Sequence, residues 1–593
     1  MNTCFVDRSV NLKKNKELLF LSLLLIVAIL LFGFLYYQSA IPTEKSDVAS
    51  ENGSNLEEWS IENSSTNNKT LEEDKGIYEQ DSSLYDVYIN IFPTEDADGN
   101  LLDFSSFDLH QSRDHTYNPV LNCNVRILRE GEKLDPFFVS SVKNATIRVR
   151  GNSSRGDVYK SYKVKFDKNA EGFKGFTTLN INKHSEDVMK VSTKLCTDLL
   201  ADIPNIGSFR TYFFRLWICD ASLPASEQKY EYYGLYTDIE QPNLSYLKTR
   251  GLPSNCVMYK ARDFSFHLDE RLKNVDEEGY SVESFEEILG IREGKDHSKL
   301  LQMLKDVNDS TKDFASVFAT YFDEDNFLTW LAFNLLIGND DIINHNFIIY
   351  SPNNSTKWYF IPWDFDGALH YGEYESSLMK LPDSLKGGQK LNQNVLCRRY
   401  FRIPGNMEKI EAKMRELLDH YLTEEKVNTL LDSYIPVLEK TMTLEPDIGL
   451  LEMPPSQLTD YVYGIHDYLE HNYNLFQFAT QYPTPMFLDK PKKNEDGTIY
   501  FSWEPSFSYQ QRTITYNLVV ADDYNMNHIL IEKKGLVVPE YTSTIHLQPG
   551  TYYLKVTAVD SEGHEQLNME RYETMLTDVK GLNVNGVLQF TIE

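Results

Sequence analysis

The stretch GNDDIINHNFIIY, residues 338–350, sets Asp340 and Asp341 ahead of a run of Ile, Asn and His, and WDFDG, residues 363–367, adds Asp364 and Asp366. Asp341 and Asn346 stand five apart, and Asp364 follows after a strand-sized gap. One carboxylate, one amide oxygen and a second carboxylate form a hard-oxygen set suited to Mg²⁺ or Mn²⁺. The same layout serves phosphoryl transfer in protein kinases, where the first Asp orients the attacking hydroxyl while the Asn and the second Asp hold metal. Asp364 and Asp366 are flanked by large apolar residues, and carboxylates among apolar residues need a partner or a metal to stay charged. Asp340 is a rival to Asp341, but its spacing to Asn346 is one residue too long. His345 reads as a structural hydrogen-bonding residue and not as a base.

These residues need elements to position them. WLAFNLLIGNDDIINHNFIIY reads as a helix, a turn and a strand, and KWYFIPWDFDGAL as a second strand ending in acidic residues. Paired as a hairpin, the two strands bring Asp341, Asn346 and Asp364 together. Upstream, LYDVYINIF, NATIRVRG, SYKVKF and TTLNIN alternate as strands do. DVMKVSTKLCTDLLADI puts Val188, Val191, Leu195 and Leu199 on one helical face. After residue 265 the pattern turns helical. The expected fold is α+β over residues 83–480, with strands early and helices late. From residue 484 to 593 short alternating strands, separated by Gly and Pro, predict an all-β sandwich. Trp503 and the series Tyr552, Leu554, Val556, Ala558 resemble a fibronectin type III module. No titratable cluster appears there, so the module reads as a spacer or binding unit.

A chain of 593 residues is too long for one core and should hold two or three domains. Its net charge of −30 argues against nucleic acid as a partner. Residues 18–37, LLFLSLLLIVAILLFGFLYY, have the length of a membrane-crossing helix. Arg8, Lys13, Lys14 and Lys16 precede it, which places residues 1–17 in the cytosol and the bulk of the chain outside. The expected location is therefore the cell membrane, single-pass, with an uncleaved anchor; a cleaved signal peptide is the rival reading. Residues 38–82, rich in Ser, Asn, Glu and Asp, read as a disordered linker. The scattered cysteines suggest neither a zinc site nor a disulfide framework.

With these segments in hand, the sequence resembles the CotH family of atypical protein kinases. RVRGNSSRGDVYKSYKVKF resembles the family's early phosphate-loop and lysine segment, YYGLYTDIE its Gly-x-Tyr-x-x-x-Glu strand, and the two acidic segments its catalytic hairpin. The resemblance spans most of residues 84–370. It implies an atypical protein-kinase-like core that transfers the ATP γ-phosphate to Ser/Thr hydroxyls of a surface or coat protein, this chain itself included. It implies Asp341 as the catalytic residue, with Asn346 and Asp364 as metal ligands. Gly151, Asn152, Ser153 and Ser154 would approach phosphate, although a surface β-turn has the same composition. In KSYKVKF, Tyr162, Val164 and Phe166 face one side of a strand and Lys163 and Lys165 the other. The family assigns Lys165 to the phosphates, with Lys163 as runner-up and Lys160 and Lys260 behind them, and Glu240 as the partner of that lysine.

The sequence also departs from conventional kinases. Gly338, Asn339 and Asp340 stand where His-Arg would precede the catalytic Asp, and Asp366 stands where Gly would follow Phe365. A surface adhesin or structural protein with a degenerate kinase core is the alternative, and a metal-dependent hydrolase using the same carboxylates is a third reading.

Overall fold

The computed structural model describes residues 71–593 except 97, 109, 111–116, 135–141, 152, 185–186, 188, 370–380, 452 and 577–578. The expected anchor at 18–37, the cytosolic segment 1–17 and Asn152 lie outside the described residues, as does Val188 of the predicted helical face. No helix among the described residues is long and apolar enough to cross a membrane.

The early strands form a closed barrel. They are β1 (Leu84–Ile91), β2 (Leu121–Arg129), β3 (Ala145–Arg150), β4 (Ser161–Phe166) and β5 (Thr178–Asn182). After helix α1 (Ser192–Ala201) come β6 (Thr211–Asp220) and β7 (Glu231–Ile239). The order is β1-β2-β3-β4-β5-β7-β6, and β6 closes on β1 in parallel register, Val87 opposite Leu216. Alternation decides which side chains go in. Ile147 and Val149 of β3, Tyr162, Val164 and Phe166 of β4, and Leu179 and Ile181 of β5 fill the interior. Arg148, Arg150, Lys163 and Lys165 therefore point outward.

A second sheet carries the hairpin. It runs β9 (Leu289–Glu293), β8 (Cys256–Ala261), β10 (Phe347–Pro352), β11 (Tyr359–Pro362), with α2 (Glu324–Leu336) entering it. Helix α2 is buried on nearly every side, so its apolar residues need no single stripe. Asp323 caps it by accepting from Asn326 N at 2.9 Å. Trp330 stacks on Phe360 of β11 with ring centroids 4.4 Å apart, which holds helix and hairpin together. Further helices, among them α3 (Val395–Phe401), complete the helical lobe and end at Ala479.

The predicted helix–turn–strand–strand order and the hairpin pairing are both present, whereas α1 begins only at Ser192. Two other expectations are corrected. Residues 71–78, within the expected linker, are packed against the folded body. Lys75 Nζ donates to Ile206 O at 2.7 Å, Tyr78 Oη donates to Ser208 O at 2.9 Å, and Arg250 Nε lies 3.4 Å from Glu73 Oε2. A few anchoring side chains in an acidic, Ser- and Asn-rich stretch leave composition unchanged while fixing the backbone. The C-terminal strands do form two facing sheets around Trp503, Leu518, Val520, Leu554 and Val556. They are not a detached spacer, however: Tyr509 Oη accepts from Asn392 Nδ2 at 3.2 Å, and Gln566 Nε2 donates to Ser384 O at 2.7 Å.

Candidate functional site

The hairpin register places Phe347 opposite Pro362, so Asn346 and Trp363 leave the paired strands side by side, and Trp363 N donates to Asn346 O at 3.1 Å. Asp364 follows at once. Asn346 and Asp364 both adopt left-handed backbone, with φ of 61° and 63°. Non-glycine residues held there are uncommon, and they concentrate where a site over-determines the backbone. Leu369 N donates to Ile337 O at 2.9 Å, which ties the segment after WDFDG back to the end of α2.

Asp341 sits in the turn between α2 and β10. Gly338 starts that turn at φ 65°, where a Cβ would collide with Tyr468 Oη. Asn339, buried, accepts from Asp341 N at 3.3 Å and donates from Nδ2 to Asn334 Oδ1 at 2.9 Å. Asp341 Oδ2 approaches Gly367, since a Cβ built there would lie 3.4 Å away. The two acidic segments therefore meet, and Asp341 keeps 57% of its side chain exposed. His345 Nε2 lies 3.7 Å from Asp341 Oδ2, while its Nδ1 lies 2.7 Å from Asn344 Oδ1. The rival Asp340 is ion-paired with Lys390, which separates the two neighbours chemically.

Facing this hairpin end is a shell of charged side chains from distant strands. Arg150, the last residue of β3, is pulled down from the usual guanidinium range by burial, and Asp364, Asp238 and Asp366 oppose that shift in this order. Arg150 also donates to Asn182 Oδ1. Lys260 of β8 is pushed down to about 8 by burial, with Asp364 pulling it up and Arg292, Arg150 and Arg262 pressing it lower. Its ammonium lies 5.0 Å from the Trp363 ring centroid. Burial likewise brings Arg292 of β9 down to about 10. Asp238 of β7 is pushed up to about 8 by burial, partly offset by Asn180 N, which donates to Oδ1 at 2.7 Å, and by Arg150. Its Oδ2 has no hydrogen-bond partner. His184 is held below its ordinary value by burial, against the opposing pull of Asp187 and Asp364, and its Nε2 is also unpartnered.

The expected lysine segment is placed differently. Lys165 is exposed on the outer face of the barrel, opposite Thr146 and Thr178. Lys163 lies opposite Arg148 and Asn180, one alternation nearer to Arg150, and is half-buried. Asp364 enters the charge balance of Arg150, Lys260 and His184. Lys160 is buried and donates to Arg155 O and Asp157 O at 3.0 and 3.1 Å, closing its own loop. Lys260, the last of the four candidate lysines, carries a charge balance in which Asp364 is the largest favourable contribution. Glu240 is not its partner: Arg250 Nη2 and Arg210 Nη2 hold that carboxylate at 2.6 and 2.7 Å, keeping it below the usual range despite its burial. The acid beside the cations is Asp238, two residues earlier. In the glycine loop, Gly151 has φ 94° and a Cβ there would strike Ser154 Oγ, so this position requires glycine. Ser153 and Ser154 follow in a short turn, Ser153–Gly156.

Arg150, His184, Asp238 and Arg292 were not singled out from sequence. The outward alternation on β3 was available to mark Arg150; for the others, nothing local distinguishes a site residue from an ordinary strand or loop charge.

The family model described as CotH kinase protein matches residues 147–474. The inner spore coat protein H of Bacillus subtilis (strain 168) is 22% identical over 335 residues, covering 56% of this chain and 87% of that one. Among solved structures, an Fn3-like protein from Clostridium thermocellum matches at 21% identity with a TM-score of 0.12, covering 15% of this chain and 82% of that one.

Proposed function

The chain belongs to the CotH family, and on that premise we propose that it is a membrane-anchored, extracytoplasmic protein kinase transferring the ATP γ-phosphate to Ser/Thr hydroxyls of a surface or coat protein. Barrel and helical lobe then act as the two lobes of an atypical kinase. The observation that carries the reading is the meeting of Asp364 with Arg150 and Lys260 at the hairpin end that also holds Asn346 and approaches Asp341. A triphosphate needs cations on one side and hard-oxygen donors on the other.

The residues divide the work. Arg150 and Lys260 neutralise phosphate oxygens, and the buried Asp238 supports the charge of Arg150. Asn346 and Asp364 offer an amide and a carboxylate oxygen, a donor set that fits Mg²⁺ or Mn²⁺ and leaves room for phosphate and water. When bound, such a cation supplies charge to the β- and γ-phosphates. Asp341 accepts the proton of the acceptor hydroxyl as its oxygen bonds to the γ-phosphorus, and the bond from that phosphorus to the bridging oxygen breaks to release ADP. The exposure of Asp341 suits a macromolecular acceptor. Residues 18–37 would anchor the chain, with the N-terminus cytosolic.

The test is thermal melting of the full chain with ATP, in Mn²⁺ and in EDTA, together with transfer of radiolabelled γ-phosphate to protein. Stabilisation only with metal, accompanied by transfer, is expected. Equal ATP affinity in EDTA would remove the metal from the reading, and metal-dependent binding without transfer would favour a degenerate core.

A further inference from the structure

Beside the Asp341 turn lies a cavity of about 330 Å³. Ile343 and Asn344 of the turn form one wall, His267 and Arg398 of the helical lobe a second, and Phe487 and Glu504 of the C-terminal sandwich a third. We infer that this cavity is an acceptor subsite, in which the sandwich helps to seat an apolar side chain of the protein being phosphorylated. The inference rests on the kinase reading above, because that reading puts the acceptor hydroxyl at Asp341.

Three observations support it. The first is position. Ile343 and Asn344 are two and three residues from Asp341, no more than roughly 11 Å along the chain at 3.8 Å per residue. An extended acceptor advances about 3.3–3.6 Å per residue, so the residue reaching the cavity is two or three away from the hydroxyl. The second is rigidity. Asn394 Nδ2 donates to Ile343 O at 2.8 Å, Phe264 N to Asn344 O at 2.6 Å, and Val395 N to Ser265 O at 3.0 Å. The turn, the segment around Ser265 and the start of α3 therefore form one fixed wall, and the cavity cannot shift relative to Asp341. The third is chemistry. Ile343 and Phe487 supply apolar surface, and Arg398 is neutralised across the seam by Glu504 at 3.1 Å. A pocket that sets Ile343 and Phe487 among the polar Ser265, Asn344 and Gln393, with its Arg398 and Glu504 charges already paired, suits an uncharged side chain with an apolar body. No barrel residue lines it and its only guanidinium is already paired, which sets it apart from the nucleotide side. The sandwich also fixes its own wall, since Glu504 N donates to Phe487 O at 2.9 Å.

The test uses the full chain with Mn²⁺ and ATP, and Ser-centred peptides in which each flanking position in turn carries Leu, Phe or Ala. Wild type should prefer Leu or Phe at a position two or three residues from Ser. Phe487→Ala should erase that preference, raising the peptide KM about tenfold with kcat and the ATP KM unchanged; Glu504→Gln should do so more weakly. Melting temperature and metal-dependent ATP stabilisation establish that both variants fold. Transfer with no positional preference, or a preference that survives Phe487→Ala, overturns the inference and leaves the kinase reading standing. If no peptide is phosphorylated, binding of the same peptides by fluorescence anisotropy decides: Phe487-dependent binding of the Leu or Phe peptides keeps the subsite while the kinase reading fails, and its absence removes the subsite.

Discussion

The hairpin end and the charged shell facing it are held in place by different physics. Asp341, Asn346 and Asp364 come from one helix–turn–hairpin unit, and backbone geometry sets their places: a glycine that admits no Cβ, two left-handed residues, and short hydrogen bonds across the turn. Arg150, Asp238, Lys260 and Arg292 come from four strands and are buried, which shifts the proton affinity of each. Changes at the hairpin should abolish chemistry or strain the backbone. Changes in the shell should alter binding, and buried ionisable groups near it should make stability depend on pH.

The strongest way to break this contrast is Asp341→Asn. Asn339 and Gly338 fix the turn that carries it. Phosphate transfer should therefore fall by about 10²–10⁴-fold, the range for a positioned general base, with ATP binding intact. Asp364→Asn should weaken metal-dependent binding as well. If both variants bind ATP equally poorly, the division of roles is wrong.

The next effect concerns stability. Tyr259, the neighbour of Lys260 on β8, lies 2.8 Å through its hydroxyl from Nδ1 of the buried His297, which stacks on Phe285 at 4.2 Å between centroids. Burial lowers His297 to about 4, opposed by Asp296. The unfolded chain takes up this proton near the ordinary 6.5, and the folded protein only near 4. The contribution is therefore full above the unfolded value and is lost as pH falls from about 6.5 towards 4, by about 3 kcal/mol at 1.36 kcal/mol per unit. Chemical denaturation across that window should show the loss, and His297→Gln should flatten it. An unchanged acid limb would remove His297 as its source.

A smaller effect sharpens the contrast within the lysines. Lys260→Met removes a charged contact to phosphate and should cost roughly 1.5–3 kcal/mol in ATP affinity, about tenfold to hundredfold. Lys165→Met, on the exposed barrel face, should cost under about 0.5 kcal/mol. Autophosphorylation of the two variants side by side reads the difference, and the reverse ranking would return the phosphate contact to β4.

The lysines show where sequence reading stops. The hairpin was legible because its residues lie within one short span and strand length alone brings their ends together. The inward residues of β4 were legible from alternation. The cations beside Asp364 were not, since they depend on which strand ends the barrel closure and the second sheet bring near it. Lys260 and Lys165 look alike locally, as do Asp238 and Glu240, and only the ion pairs of Glu240 with Arg210 and Arg250 tell the latter two apart.

The smallest effect tests the hairpin's backbone and its side chain separately. Asn346 is buried at φ 61°, a conformation in which glycine loses nothing and most residues lose of order 1 kcal/mol or more. Asn tolerates it better than other side chains, so Asn346→Gly should change stability by less than about 1 kcal/mol, with the relief of strain offset by the more flexible unfolded chain. Asn346→Ala should destabilise by more, because it keeps a Cβ without the polar group that suits this backbone. Both variants lose the amide oxygen, so both should lose the Mn²⁺-dependent stabilisation by ATP. Melting curves with and without Mn²⁺-ATP separate the two consequences. If Asn346→Gly retains the metal-dependent shift, the residue serves only the turn, and the oxygen donors beside Asp364 must come from Asp366 or Asp341.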